Sequence, residues 1–131
     1  MEFKPGTQGG HDTTTAHFAT QLTGSNIGEP IDVNQPAELR ADGRLYRASG
    51  QGVFLGVSPR SPKIANQPLT LHGVGQRFHA RDEADLVPGK TYYLGAAPGT
   101  ISDVATANDA QGAFVAVDKR DLMVVRIGKL A

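Results

Sequence analysis

The stretch Gln111–Gly128, which reads QGAFVAVDKRDLMVVRIG, decides the fold. It contains two apolar runs, Phe114 to Val117 and Leu122 to Ile127, and both are rich in residues that favour strands. The polar residues 118–121 between the runs are few enough to form a hairpin loop. The sequence therefore predicts a β-hairpin at this end of the chain.

The faces of this hairpin follow from its loop. With Lys119 and Arg120 at the tip, Val117 lies opposite Leu122, and side chains alternate between the two faces along each strand. One predicted face holds Phe114, Ala116, Met123, Val125 and Ile127, and the second holds Val115, Val117, Leu122 and Val124. Because an antiparallel sheet usually exposes one face to water, something must cover the second apolar face. The far wall of a barrel, the chain's own tail and another subunit are the candidates.

Two short patterns occur twice in the chain. Residues 51–60 (QGVFLGVSPR) align with residues 111–120 (QGAFVAVDKR), and residues 43–46 (GRLY) resemble residues 89–92 (GKTY). We interpret this as a weak internal duplication in which two three-stranded units close one barrel or sandwich. Chance similarity between short strand patterns is the alternative.

Composition limits the class of protein. A chain of 131 residues is the length of one domain, and the absence of cysteine excludes disulfides and thiolate metal sites. Thirteen basic and thirteen acidic residues leave no excess charge for nucleic acid, and no apolar run is long enough for a membrane helix. Sixteen glycines and eight prolines between short apolar runs predict an all-β fold, a small antiparallel β-barrel or sandwich. The start of the chain lacks a signal-peptide core, so we expect the cytoplasm or a particle assembled there.

Residues 1–30 differ from the body that we assign to residues 31–131. They contain only seven apolar residues, too few for a core of their own. The sequence therefore predicts an extended N-terminal arm, without which the body should still fold. The anchors expected to contact a partner are Phe3, Phe18, Leu22 and Ile27. A disordered tail is the alternative reading.

The chain shows no catalytic pattern. There is no G-x-S-x-G motif and no cysteine nucleophile, so we predict no catalytic residue, no cofactor and no enzyme activity. Residues 68–80 read as a second hairpin around residues 73–75, with His72 and His79 solvated on its polar face. A metal site there would need Asp82 or Glu83 as a further ligand, and we predict none. We interpret the three tyrosines as packing residues rather than as platforms for sugars or bases.

A resemblance suggests a function. The segments Leu86–Leu94 (LVPGKTYYL) and Pro98–Ser102 (PGTIS), with Gly43–Ala48 (GRLYRA) and Gly52–Val57 (GVFLGV) before them, resemble the small capsid decoration, or cement, proteins of tailed bacteriophages. The similarity covers residues 37 to 127 in outline. The Pro-Gly-Tyr-Tyr stretch also occurs in phage fibre and tail adhesin domains.

The resemblance implies a non-enzymatic structural protein that binds the outside of an assembled phage capsid and stabilises it by bridging major capsid protein subunits. Its partners would be the major capsid protein and itself, as a homotrimer or a dimer, with no nucleic acid and no membrane. It would be made in the host cytoplasm and reside on the virion exterior. The alternative is a fibre or adhesin module that binds a host surface glycan or protein, and an enzyme with an unrecognised site is a third hypothesis.

Overall fold

A computed structural model describes residues 1–6, 20–64 and 66–131, with side chains omitted for residues 20–25. The described residues form strands joined by turns and contain no helix, which confirms the predicted all-β fold. The strands are β1 (Glu2–Phe3), β2 (Thr20–Ile27), β3 (Pro36–Leu39), β4 (Arg44–Arg47), β5 (Val53–Val57), β6 (Pro68–Leu71), β7 (Arg77–His79), β8 (Thr91–Leu94), β9 (Ile101–Ser102), β10 (Phe114–Ala116) and β11 (Asp121–Val124).

The strands make two curled sheets. The six-stranded sheet has the order β1-β9-β8-β10-β11-β7 and is antiparallel throughout. The five-stranded sheet has the order β5-β3-β4-β2-β6, with β2 parallel to β4 and the other pairs antiparallel.

The five-stranded sheet closes on itself. Val57 at the end of β5 and His72 just after β6 exchange two backbone hydrogen bonds of 3.0 and 2.8 Å. Gly56 allows this approach, because a Cβ there would lie 2.3 Å from the carbonyl oxygen of His72. The two edges are thereby joined, which leaves few unpaired backbone groups on them.

Each sheet encloses its own apolar cluster, and the larger cluster includes residues of both sheets. In the five-stranded sheet, the buried residues are Ile27, Ile31, Ala37, Leu45, Leu69 and Leu71. In the six-stranded sheet, Phe114 contacts the rings of Phe54 and Phe78 edge-on, at centroid distances of 5.7 and 5.5 Å. Phe54 belongs to β5, so the larger cluster extends into the other sheet.

A buried carboxylate fixes the approach to β10. Asp109 is fully buried and accepts hydrogen bonds of 2.7–3.0 Å from the backbone amides of Leu94, Gln111, Gly112 and Ala113. Four donors satisfy a carboxylate that would otherwise be costly to bury. The small and polar residues 105–110 are typical of an exposed loop, and Asp109 is the buried exception.

The hairpin at residues 114–124 exists, but its register differs by one residue from the prediction. Phe114 pairs with Val124, Val115 with Met123, and Ala116 with Leu122. This register requires a loop with an odd number of residues. The Asp118 carboxylate closes that loop by accepting hydrogen bonds of 2.7 Å from the amides of residues 120 and 121. A shift of one residue moves every side chain of β11 to the opposite face.

Two further predictions are wrong. Residues 68–80 do not form one hairpin, because β6 lies in the five-stranded sheet and β7 in the six-stranded sheet. The turn between them carries the chain from one sheet to the other. The two copies of the repeated pattern also occupy different places. Strand β3 separates β4 from β5, whereas β8 and β10 are direct neighbours, so the strand order does not repeat.

The described parts of the predicted arm are built into the sheets. Strand β1 pairs with β9, and β2 lies between β4 and β6. Phe3 is 6% exposed and Ile27 is fully buried, so both side chains pack against the rest of the chain. Residues 7–19, including Phe18, lie outside the described residues, as does the side chain of Leu22.

Candidate functional site: the outer face of the six-stranded sheet

Four apolar side chains of the hairpin point away from the core. Val115, Val117, Met123 and Val125 are half-buried, and they alternate with the buried residues of β10 and β11. We call these four residues the outer hairpin face. Val115 and Met123 pair directly across the two strands and form its centre.

The neighbouring strands extend this face on both sides. Thr91 of β8 pairs with Val115, and Arg77 of β7 pairs with Met123, so one row of side chains crosses four strands. Tyr93 follows two residues after Thr91 and is half-buried, whereas Tyr92 between them is in the core. An aromatic ring with a polar end thus adjoins the outer hairpin face, a residue type enriched at interfaces.

A charged rim borders the face at β7. The guanidinium of Arg77 lies 2.6 Å from Asp121 and 2.5 Å from Asp118. The hydrogen bond to Asp121 raises the pKa of Arg77 above its usual value, against the effect of burial. Burial alone would raise the pKa of Asp118, but the amides of residues 120 and 121 and the Arg77 guanidinium lower it. Arg77 and Asp118 are therefore held in their charged forms at neutral pH.

His79 belongs to the same rim and is not solvated as predicted. Its Nε2 lies 2.6 Å from Asp82 Oδ1, its Nδ1 lies 3.6 Å from Asp121 Oδ1, and the residue is 8% exposed. His72 is buried as well, in the other sheet. No group of three or more His, Asp or Glu side chains in the described parts of the chain could hold a metal ion.

Of the predicted second apolar face, only part lies outward. Val115 and Val117 are on the outer hairpin face as expected, whereas Leu122 and Val124 are fully buried in the core. Sequence reasoning missed Met123 and Val125 because it assumed a two-residue loop. The aspartate at the start of residues 118–121 was the available signal, since such a side chain commonly closes a turn onto amides two and three residues later.

Comparison with known proteins adds nothing to this geometry. No family model, no curated protein and no solved structure matches the chain. Within the described ranges, no helix has the length and apolar character needed to cross a membrane.

The arrangement is suited to association. The side chains project from hydrogen-bonded strands in the middle of a sheet, so little ordering is needed when a partner covers them. An apolar centre with a charged rim is the usual anatomy of a protein interface. The four residues are only the centre of such a surface, because a stable interface buries about 800 Å² on each partner.

Proposed function

We propose that this protein is a non-enzymatic structural protein that binds the outside of an assembled phage capsid and bridges major capsid protein subunits. The observation that carries the proposal is the outer hairpin face, an apolar surface in the centre of a six-stranded sheet with a charged rim at Arg77. A protein of this kind requires a rigid surface and several contacts, not a reaction centre.

The segment that resembles cement proteins adjoins this face. Within residues 86–94, the hydroxyl of Tyr92 accepts a hydrogen bond of 3.1 Å from the amide of Val87, and the amide of Gly89 donates one of 2.8 Å to the carbonyl of Ala116. These bonds attach the turn before β8 to the hairpin, and Thr91 at the start of β8 pairs with Val115. The resemblance and the apolar surface therefore concern one region of the molecule, which supports the proposal.

Bridging explains how a small protein would stabilise a shell. If one molecule contacts several capsid subunits, its release requires the loss of all contacts together, and the second contact forms at a high effective concentration. Binding that is restricted to the assembled shell stabilises that shell by mass action. Self-association, with a trimer favoured over a dimer, would add further contacts of the same kind.

The proposal is tested by co-sedimentation with emptied, undecorated phage shells. Val115→Asp places a charge at the centre of the outer hairpin face and should weaken binding about tenfold or more, which corresponds to ~1.4 kcal/mol. Ile64→Asp is the matched control, because Ile64 is 74% exposed in the loop before β6, on the other sheet. Parent protein that stays in the supernatant at every shell concentration would refute the function. Equal binding by both variants would remove the outer hairpin face from it.

The adhesin alternative is less well supported by the aromatic residues. The guanidinium of Arg40 lies over the Tyr46 ring, 4.1 Å from its centroid, and a Cβ at Gly28 would lie 2.3 Å from the same ring. Tyr46 therefore has little room to stack on a sugar. Tyr92 is buried, so of the three tyrosines only Tyr93 is open to a sugar. Binding to a glycan array that is lost in Tyr93→Ala would favour the adhesin.

A further inference from the structure

Residues 1–6 occupy a groove that spans both sheets. Strand β1 pairs with β9, with Glu2 opposite Ser102 and Phe3 opposite Ile101. Beyond the strand, the amide of Gly6 donates a hydrogen bond of 2.9 Å to the carbonyl of Ala80, next to β7. An extended segment is thus held by main-chain bonds along its length, the mode of recognition known as β-augmentation.

The side chains of this segment also contact the groove. Phe3 contacts Tyr92 edge-on at 6.3 Å, and the guanidinium of Arg81 lies 4.8 Å from the centre of the Phe3 ring. The Glu2 carboxylate accepts a hydrogen bond of 2.8 Å from the amide of Ala96, and Lys4 lies 3.4 Å from Asp32. The acidic, aromatic and basic side chains at three consecutive positions of the segment each have a partner in the groove.

We propose that this groove also accepts residues 1–6 of a second copy of the chain, by reciprocal exchange. Every contact that one copy gives up is remade in the other, so exchange costs no side-chain or main-chain interaction. The segment and its groove are complementary in charge, because the Glu2 carboxylate accepts a hydrogen bond from the amide of Ala96 and Lys4 forms an ion pair with Asp32. The groove would therefore bind the same six residues, whether they come from its own chain or from a second copy.

The connection is long enough for exchange. Fourteen Cα–Cα steps separate Gly6 from Thr20, which opens β2 (20 − 6 = 14), and at about 3.3 Å per residue they span up to ~46 Å. A domain of this length has a radius of gyration of about 14 Å, and hence a diameter of about 36 Å. The six residues can therefore reach the groove of a neighbour without unfolding β2.

Concentration decides between the two arrangements. In one chain, the covalent connection to β2 keeps residues 1–6 at an effective concentration on the order of millimolar near their own groove. Exchange between copies therefore increases with protein concentration, or wherever copies are held close together. This inference does not depend on the proposed capsid function.

The test uses two single-cysteine chains, because the natural sequence has no cysteine. Glu2→Cys in one chain and Ser102→Cys in another place the two thiols on directly paired residues, at a Cα separation that suits a disulfide. After mild oxidation of the mixture at rising concentration, a covalent dimer between the two variants in excess of random collision requires that residues 1–6 dock in trans. A chain that carries both substitutions controls for the geometry, since its disulfide forms within the chain.

Two further variants sharpen the result. Glu2→Cys mixed with Ala41→Cys, which lies in the exposed β3–β4 loop, measures random collision. We expect the Glu2–Ser102 dimer to exceed this background several-fold and to return to it when Phe3→Ala is added. A dimer yield equal to the background, with an efficient disulfide inside the double variant, would overturn the proposal. Failure of the double variant to form its disulfide would overturn it as well, because the pairing of β1 with β9 would then be incorrect.

Discussion

Replacing Phe114 with alanine tests the packing on which the outer face depends. Phe114 is fully buried and contacts the rings of Phe54 and Phe78 edge-on. Deleting a buried phenylalanine side chain costs about 3–5 kcal/mol. The two aromatic contacts, each worth roughly 0.5–1.5 kcal/mol beyond area burial, place this site at the upper end of that range.

This loss converts into a large change in melting temperature. The entropy of unfolding is about 2.1 cal/mol/K per residue near 60 °C, so in a chain of 131 residues each kcal/mol lowers Tm by about 3–4 °C. We therefore expect Phe114→Ala to lower Tm by roughly 15 °C. Thermal and urea unfolding, followed by far-ultraviolet circular dichroism, measure the shift.

Val115→Ala is the matched control, one residue along the same strand. Val115 is half-buried on the outer hairpin face, so the loss of two methyl groups' worth of burial should cost less than about 1 kcal/mol. Similar shifts for the two variants would refute the assignment of Phe114 to the core. An unaltered parent-like Tm for Phe114→Ala would refute the strand itself.

Four further predictions concern the register, a turn, a buried carboxylate and the N-terminal strands. In urea unfolding, Val124→Ala should lower the free energy of unfolding by about 2 kcal/mol and Val125→Ala by less than about 1 kcal/mol. The reverse order would support the register with a two-residue loop. Gly43 has φ +79° in the β3–β4 loop with open space around it, so Gly43→Val should cost about 1–2 kcal/mol through the backbone alone, whereas Gly43→Asn should stay close to the parent. Burial would raise the pKa of Glu38, but the amides of residues 49 and 50 and the Arg40 guanidinium lower it. The ionised Glu38 therefore stabilises the fold above the unfolded pKa of about 4.3, and this stabilisation is lost as pH falls further. Glu38→Gln should flatten the decline of Tm below that pH, and a pH profile identical to that of the parent would contradict this. Deleting residues 1–27 removes β1 and β2 and should unfold the chain, contrary to the expectation from sequence, and a truncated chain with a cooperative melt at the parent Tm would show that the two strands are dispensable.

The strands were predictable where alternation and turn residues agree. The Asp42-Gly43 turn between β3 and β4 and the apolar runs of β5, β8 and β10 all follow from local patterns. These patterns act between neighbours in sequence, so a single chain is enough to read them.

The sheet assignments were not predictable in the same way. Strands β6 and β7 are adjacent in sequence and carry apolar residues that match in a hairpin register, yet they pair with β2 and β11. The choice depends on partners far away in the chain, which no local pattern encodes. The residues of the outer hairpin face were predicted incorrectly for a local reason, because one aspartate side chain sets the length of the hairpin loop and hence the register.

The N-terminal residues illustrate the same limit. A count of apolar residues predicts that residues 1–30 cannot form their own core, but it does not show that Phe3 and Ile27 contribute to two other cores. Phe3 joins the cluster of the six-stranded sheet, and Ile27 joins that of the five-stranded sheet. Sparse apolar residues suffice when the rest of the chain supplies the surrounding walls.

The pairing of β1 with β9 has a consequence during synthesis. Glu2 and Phe3 are made almost a hundred residues before their partners Ser102 and Ile101. At about 5–20 residues per second, the first strand waits roughly 5–20 seconds for its partner. Throughout that interval the Phe3 ring stays in water, and the six-stranded sheet cannot close from this edge. Nascent chains are thus more exposed to chaperones and proteases than the finished fold suggests.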